Sequence, residues 1–302
     1  MQLMSMDVLL QQLANGLTLG SLYALIAIGY TMVYGILRLI NFAHGEIFMM
    51  AMYFGYFAIA VFFVPWYISF VIVIVLTALL GMLLERLAYR PLREQDAPKI
   101  SMLISAIGAS YLMQNLATVL FTGLPLSFPQ IPLFTEVIQL GAVRVQRLAI
   151  IVPVLAIALT ICLLYLVNHT KSGMAMRAVS KDVETARLMG IDVNKTISIT
   201  FAIGSALAAA GALMYGVKYV SIIPTIGLMP GMKCFIAAVI GGIGNIKGAI
   251  IGGFLLGMIE ILVVAFFPSL NGYKEAFAFI LLIIILLVKP TGIIGEKIAD
   301  KV

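Results

Sequence analysis

Residues 148–168 read LAIIVPVLAIALTICLLYLVN, with no charged side chain and almost nothing but Ile, Leu, Val and Ala. At 1.5 Å rise per residue, a helix of about 20 apolar residues crosses the ~30 Å hydrocarbon core of a bilayer. The stretch that follows, 169–195, carries Lys171, Arg177, Lys181, Arg187 and Lys195. An uncharged run of membrane length that stops at a basic segment reads as a span and its cytoplasmic loop.

The same reading extends in both directions. Runs of spanning length lie at 14–37, 45–64, 67–87, 100–122, 196–217 and 249–267, and 275–289 is shorter but nearly pure Ile, Leu and Phe. A further piece, 234–244, is apolar but half the needed length, so its backbone must be shielded by protein or a water-filled cavity. The composition agrees. Of 302 residues, 63% are hydrophobic and 11% charged, and mean hydropathy is +1.13. Soluble domains carry about 25% charged residues, so a soluble globule, a disordered chain, collagen and a coiled coil are excluded. The expected fold is an all-α integral membrane protein: a polytopic bundle of about 8–9 transmembrane helices with one short or re-entrant half helix. It forms one transmembrane domain over 1–302.

Basic residues assign the sides. Arg86, Arg90, Arg93 and Lys99, the five in 169–195, and Lys289, Lys297 and Lys301 make up most of the chain's 19. Those segments are expected in the cytoplasm, with the C-terminus, and the Pro-rich loop 123–147 outside. Counting back from Arg86 puts the N-terminus outside. Residues 1–13 lack Lys and Arg, so they do not read as a cleaved signal. The net charge of +6 fits this asymmetry without nucleic acid. Cys162 and Cys234 have no ligand-like spacing and read as small core hydrophobes rather than a disulfide or zinc site. Two stretches, 20–35 and 204–216, both open on Gly-Ser and close on Tyr-Gly. They fit either an internal repeat or chance similarity.

Few residues could carry chemistry. There is no phosphate loop, no H-E-x-x-H and no G-x-S-x-G, and the two histidines, His44 and His169, are far apart in sequence. The chain therefore reads as no enzyme, with no metal site. Gly244, Gly248 and Gly252 recur every four residues, a smooth strip for helix packing or a point of flexure. On the first span Tyr23, Tyr30 and Tyr34 share a face with Gly16 and Gly20; the phenols could line a polar path or pack against a neighbour. Asn41 reads as an N-cap and Glu46 as a first-turn acid, although His44 and Glu46 near a bilayer boundary also suit function. Glu260 sits mid-span in GMIEILVV, where a charge is costly, so it must be neutral, paired or facing a cavity. Gln114 and Asn115 lie mid-span and are expected to face the same interior.

In 172–195, SGMAMRAVSKDVETARLMGIDVNK, Ser180 reads as the cap of a short helix, with Asp182 and Glu184 in its first turn and Arg187 in its last. Gly190 ends it. Val179, Val183 and Ala186 share one side. The helix is too small and too mildly apolar to hold a membrane alone, so a protein groove suits it better.

Glu184 to Gly190, ETARLMG, resembles the E-A-A-x-x-x-G loop of ABC importer permeases, though the later I-x-L-P of that motif is absent. More of the chain resembles the permeases of high-affinity branched-chain amino acid uptake, of the H type. TLGSLYALIAIGYTMVYGILRLINFAHGEIFM, ERLAYRPLR, LISAIGAS, PGMKCFIAAVIGGIGNIKGAIIGGFLLGMIE and KPTGIIG carry that resemblance. It implies a multi-pass inner-membrane subunit that takes Leu, Ile and Val. Its partners would be a homologous second permease, two ATPase subunits that hold the ATP, and a periplasmic amino-acid-binding protein. The chain needs no cofactor of its own. The coupling helix to the ATPases would be carried by Ser180, Asp182, Glu184, Ala186, Arg187 and Gly190. Tyr23, Tyr30, Asn41, His44, Glu46, Asn115 and Glu260 are the polar candidates for the path. Importers of urea, short amides or other amino acids are similar alternatives; a secondary transporter or channel is the alternative of a different class.

Overall fold

The structure, a computed structural model, describes residues 6–140 and 143–295. Lys297, Lys301, the C-terminus and residues 1–5 lie outside the described residues. The chain runs α1 (Met6–Leu37), α2 (His44–Tyr56, continued by a π-helical turn, Phe57–Val61) and α3 (Trp66–Leu84, continued by a second, Glu85–Tyr89). After α4 (Arg90–Glu94) and α5 (Lys99–Leu120) come the short strand β1 (Leu126–Ser127), α6 (Pro132–Thr135) and a hairpin of β2 (Val137–Leu140) and β3 (Val143–Gln146). Then follow α7 (Leu148–His169), α8 (Lys171–Lys181), α9 (Val183–Leu188), α10 (Val193–Tyr219) and β4 (Ser221–Ile222). The chain closes with α11 (Leu228–Gly241), α12 (Ile246–Phe266), a 3-10 turn (Pro268–Tyr273) and α13 (Lys274–Val288). Among the described residues, eight helical segments are long and apolar enough to cross a membrane. This is the expected all-α polytopic membrane fold. The half helix is α11, whose 14 residues reach only ~21 Å; it starts before the predicted 234 and ends at Gly241.

The two ends of the bundle are distinguished by their contacts. At one end Gln11 on α1 donates to the Arg144 carbonyl in the hairpin, and β1 pairs antiparallel with β4, Leu126 opposite Ile222. At the other, the basic face, Arg38 donates to the Ser180 carbonyl and Asn194 to Glu94. α1 thus begins at the end opposite the basic loop.

From Gly16 onward α1, like α10, is buried almost all round, so neither has an amphipathic stripe and both form the centre. In a bilayer, lipid competes equally for apolar side chains, so close helix contact depends on small residues. Gly253 and Gly257 of α12 lie on Ala24 and Gly20 of α1, and Gly204 of α10 lies on Gly29. These two helices carry the two Gly-Ser…Tyr-Gly stretches. Gly248 and Gly252 face the other way, onto Gly241 and Ala237 of α11. Gly244 is not part of that strip: it stands in the turn before α12, at φ +89°, against Gly35. The helix starts only at Ile246 because Asn245 caps it, accepting from the Gly248 N–H at 3.2 Å.

One feature departs from the span pattern. After α1 ends, the chain doubles back, and by His44 it again lies beside Ile26, whose carbonyl oxygen is 3.3 Å from His44 Nε2. Ile26 is ~16 Å up α1 from Leu37. α2 therefore starts inside the bundle, where hydropathy gave 45–64 as an ordinary crossing. α11 starts at the same place, its Gly227 and Gly231 backbones against Gly45.

Candidate functional site

Where α2 and α11 begin together, with α5 alongside, the protein holds a cavity of about 240 Å³. Phe42, Ile107, Tyr111, Leu228, Met232 and Phe235 give it apolar walls; Glu46, Tyr30, Ser110 and Gln114 are its polar groups. Glu46 is buried, 1% exposed, in the first turn of α2, where the helix dipole favours an anion. Gln114 Nε2 and Ser110 Oγ donate to Glu46 Oε1 at 2.8 and 3.3 Å. Glu46 Oε2 and the Tyr30 hydroxyl have no hydrogen-bond partner among the described residues. A buried polar atom left unpaired costs about 1–3 kcal/mol, so one acceptor and one phenol hydroxyl beside this pocket are left with unmet bonding capacity.

Behind the pocket Asn41 and His44 are bonded to neighbouring segments of the bundle. Asn41 does not cap α2, whose N-cap is Ala43 without a side-chain bond. Asn41 Oδ1 instead accepts from the Ala43 N–H (3.1 Å) and the Tyr89 hydroxyl (2.9 Å), tying the re-entrant segment to the end of α3. The His44 ring lies edge-on to Tyr30; since a carbonyl only accepts, Nε2 carries the proton there. Asn115 is not brought to this interior: it lies exposed on α5, and its amide donates to its own helix at Tyr111. Its neighbour Gln114 points inward instead.

Glu260 is paired. Lys233 Nζ lies 2.8 Å from Oε1 and the Tyr23 hydroxyl donates to Oε2 at 3.0 Å. The Lys233 ammonium also sits 5.8 Å from the Tyr23 ring centre. This buried triad joins α11, α12 and α1. Lys233 was missed in the sequence, although a lysine at the edge of an apolar half helix, 27 residues before a mid-span Glu, is a visible cue. A second pair, Glu85 with Arg93 at 2.8 Å, is completed by the Ser198 hydroxyl at 2.5 Å. It clamps α10 to the end of α3 near the basic face.

On that face α8 and α9 project between α7 and α10. The cap of α9 is Asp182, whose Oδ1 accepts from the Glu184 and Thr185 N–H groups at 3.0 and 3.1 Å. Ser180 is not the cap: α8 runs on through it, and its hydroxyl donates to the Arg177 carbonyl. Glu184 and Arg187 occupy the first and last turns, and Gly190, at φ +81°, turns the chain toward α10. Val179 and Ala186 are buried, whereas Leu188 and Met189 are 87% and 78% exposed at the tip.

Residues 12–286 match the family described as branched-chain amino acid transport system / permease component. The chain is 43% identical to the high-affinity branched-chain amino acid transport system permease protein BraD of Pseudomonas aeruginosa, over 97% of this chain and 98% of that protein. It is 42% identical to LivH, the permease of the same description in Escherichia coli, over 97% of both chains. The probable branched-chain amino acid transport permease LivH of Methanocaldococcus jannaschii is 27% identical over 94% of this chain. No solved structure matches. With a polytopic bundle, a mid-depth pocket and a family match over nearly its whole length, the chain belongs to the branched-chain amino acid transport permease family.

Proposed function

We propose that this chain is one of two homologous permease subunits of an ATP-driven importer of Leu, Ile and Val in the inner membrane, fed by a periplasmic binding protein. Its basic face is the cytoplasmic one. Two ATPase subunits hold the ATP and grip α9. The observation that supports this reading is the tip of that loop, where Leu188 and Met189 stand exposed on a well-capped helix. Two exposed apolar side chains on a charged, ordered projection suit a protein groove better than water.

The test is co-expression of the tagged chain with its candidate ATPases, second permease and binding protein, followed by purification and leucine uptake into proteoliposomes. Ala186→Pro removes the Ala186 N–H that bonds to the Asp182 carbonyl at 3.1 Å, a change costing ~3 kcal/mol or more inside a helix. The expected result is a membrane-inserted chain that loses its ATPases or no longer couples their hydrolysis to uptake. Uphill leucine accumulation by the isolated chain alone would refute the reading in favour of a secondary transporter. Uptake of urea in place of leucine would move the substrate to short amides.

A further inference from the structure

We infer that the pocket between α2, α5 and α11 is a substrate site within the permease itself, with Glu46 Oε2 receiving the α-ammonium group of the amino acid. The site rests on the importer reading above and names the atom that reading leaves open. Glu46 is 1% exposed, and one carboxylate oxygen is held by Gln114 and Ser110 while the other has no partner among the described residues. Tyr30, whose hydroxyl is also buried and unpaired, lines the same space.

The chemistry of the walls selects the ligand. One carboxylate among neutral donors and acceptors suits a single organic cation. A metal ion would need more: among the described residues no three His, Cys, Asp or Glu side chains gather to hold one. The ligand's own carboxylate faces the start of α11. That helix has 14 residues, and the positive end of its dipole favours an anion; the Leu228 N–H is already held by the Thr225 carbonyl and Pro230 has none, so the dipole rather than a row of N–H donors supplies the attraction. Gly227, at that start, packs its backbone on Gly45 and covers Glu46 Oε2, so the two helix starts must part for the ammonium to reach that oxygen. Helices interrupted at mid-depth so that their ends meet a charged solute are a recurring transporter device. Ile107, Met232 and Phe235 supply apolar cover for an aliphatic side chain. The volume, about 240 Å³, lies just below the ~300–1,000 Å³ of drug-sized pockets, so it fits one small metabolite.

The experiment is uptake of radiolabelled leucine by proteoliposomes holding the complete transporter and its binding protein. Glu46→Gln keeps the shape and removes the charge; uptake is expected to fall about 10- to 100-fold, as for a lost charge-assisted hydrogen bond. ATP hydrolysed per leucine should rise, and Glu46→Asp should recover part of the uptake. A purely structural Glu46 would instead lose assembly and uptake together, with no recovery by Asp. Met232→Trp fills the pocket from its half-exposed rim without touching Glu46, and it decides the matter where Glu46→Gln fails to assemble. Wild-type uptake by either Glu46→Gln or Met232→Trp would overturn the site. A wild-type complex that carries no α-amino acid would remove the importer reading itself, a result visible before any variant is made.

Discussion

Replacing Lys233 by Met should be the most damaging conservative change at the α11–α12 contact. The two side chains of the pair are 9% and 7% exposed, so water screens either charge only weakly. Without Lys233, the Glu260 carboxylate keeps one donor, the Tyr23 hydroxyl. Breaking a buried pair from one side costs about 3–5 kcal/mol, because a charge stays behind without its partner. The reverse change is milder for a reason the geometry supplies. In Glu260→Gln, Lys233 still meets an amide oxygen, and Glu275, partly exposed, lies 4.0 Å away; the cost should be nearer the ~1.5–3 kcal/mol of a hydrogen bond to a charged group. Removing both, Lys233→Met with Glu260→Met, should recover most of the loss, since apolar groups of similar volume often replace a buried pair without penalty. Thermal unfolding of the purified protein in detergent checks the order: wild type and double variant highest, then Glu260→Gln, then Lys233→Met. If Lys233→Met melts with the wild type, or the double variant is no better than Lys233→Met alone, the pair is not what secures α11.

The glycine contacts predict a sharp contrast. Gly252→Ala puts its Cβ into the Ala237 carbonyl oxygen and should lower stability by about 1–3 kcal/mol. Gly108→Ala on α5, with nothing within 4 Å, should be neutral or stabilise by up to about 1 kcal/mol through helix propensity; both are read by the same unfolding assay. Gly204→Val, whose Cβ would lie 2.9 Å from the Gly29 carbonyl oxygen, should spread α10 from α1. In the reconstituted transporter, leucine uptake should then drop several-fold more than ATP hydrolysis. A proportional drop in both would show that this crossing does not couple them.

Much of the fold was open to reading because bilayer thickness fixes the length of an uncharged run. The ends of α5, α7 and α10 fall within a few residues of the hydropathy boundaries. What that reading lacked was depth. Nothing in the composition of 38–48 distinguishes a helix that starts at a membrane surface from one that starts beside Ile26, because the difference lies in a fold-back around Arg38, at φ +52°. The caps were ambiguous for a similar reason. Ser180 and Asp182 are both good N-caps two residues apart, and the choice was made by α8, which continues through Ser180 to Lys181. Asn41 had the right chemistry for a cap but is taken up by Tyr89, on a helix 48 residues away. Glu46 was recognisable as a first-turn acid; that one of its oxygens is spare depends on Ser110 and Gln114, 64 and 68 residues on.

On the importer reading, the arrangement explains how a pull at one face could reach a pocket inside the bundle. Coupling needs a rigid connection and a contact that differs between two states. The connection is short. α9 passes through Gly190 into α10, whose first turn is fixed by Asp192 accepting from the Lys195 N–H at 2.9 Å and whose second turn is fixed by Ser198 donating to Glu85. α10 then meets α1 backbone to backbone at Gly204 and Gly29, where the His44 ring also touches. No side chain stands between those backbones to absorb a displacement by changing rotamer, so a shift of α10 must move α1, His44 or both. His44 is the first residue of α2, and Glu46 follows two residues later. The contact that can differ between states is thus the start of α2 against the start of α11. There Gly45 and Gly227 touch without side chains, and parting the two helix starts would uncover the Glu46 oxygen that the Gly227 backbone now lies against. A loop of polar residues at that point would blur the two states; paired glycines beside one buried acid keep them distinct.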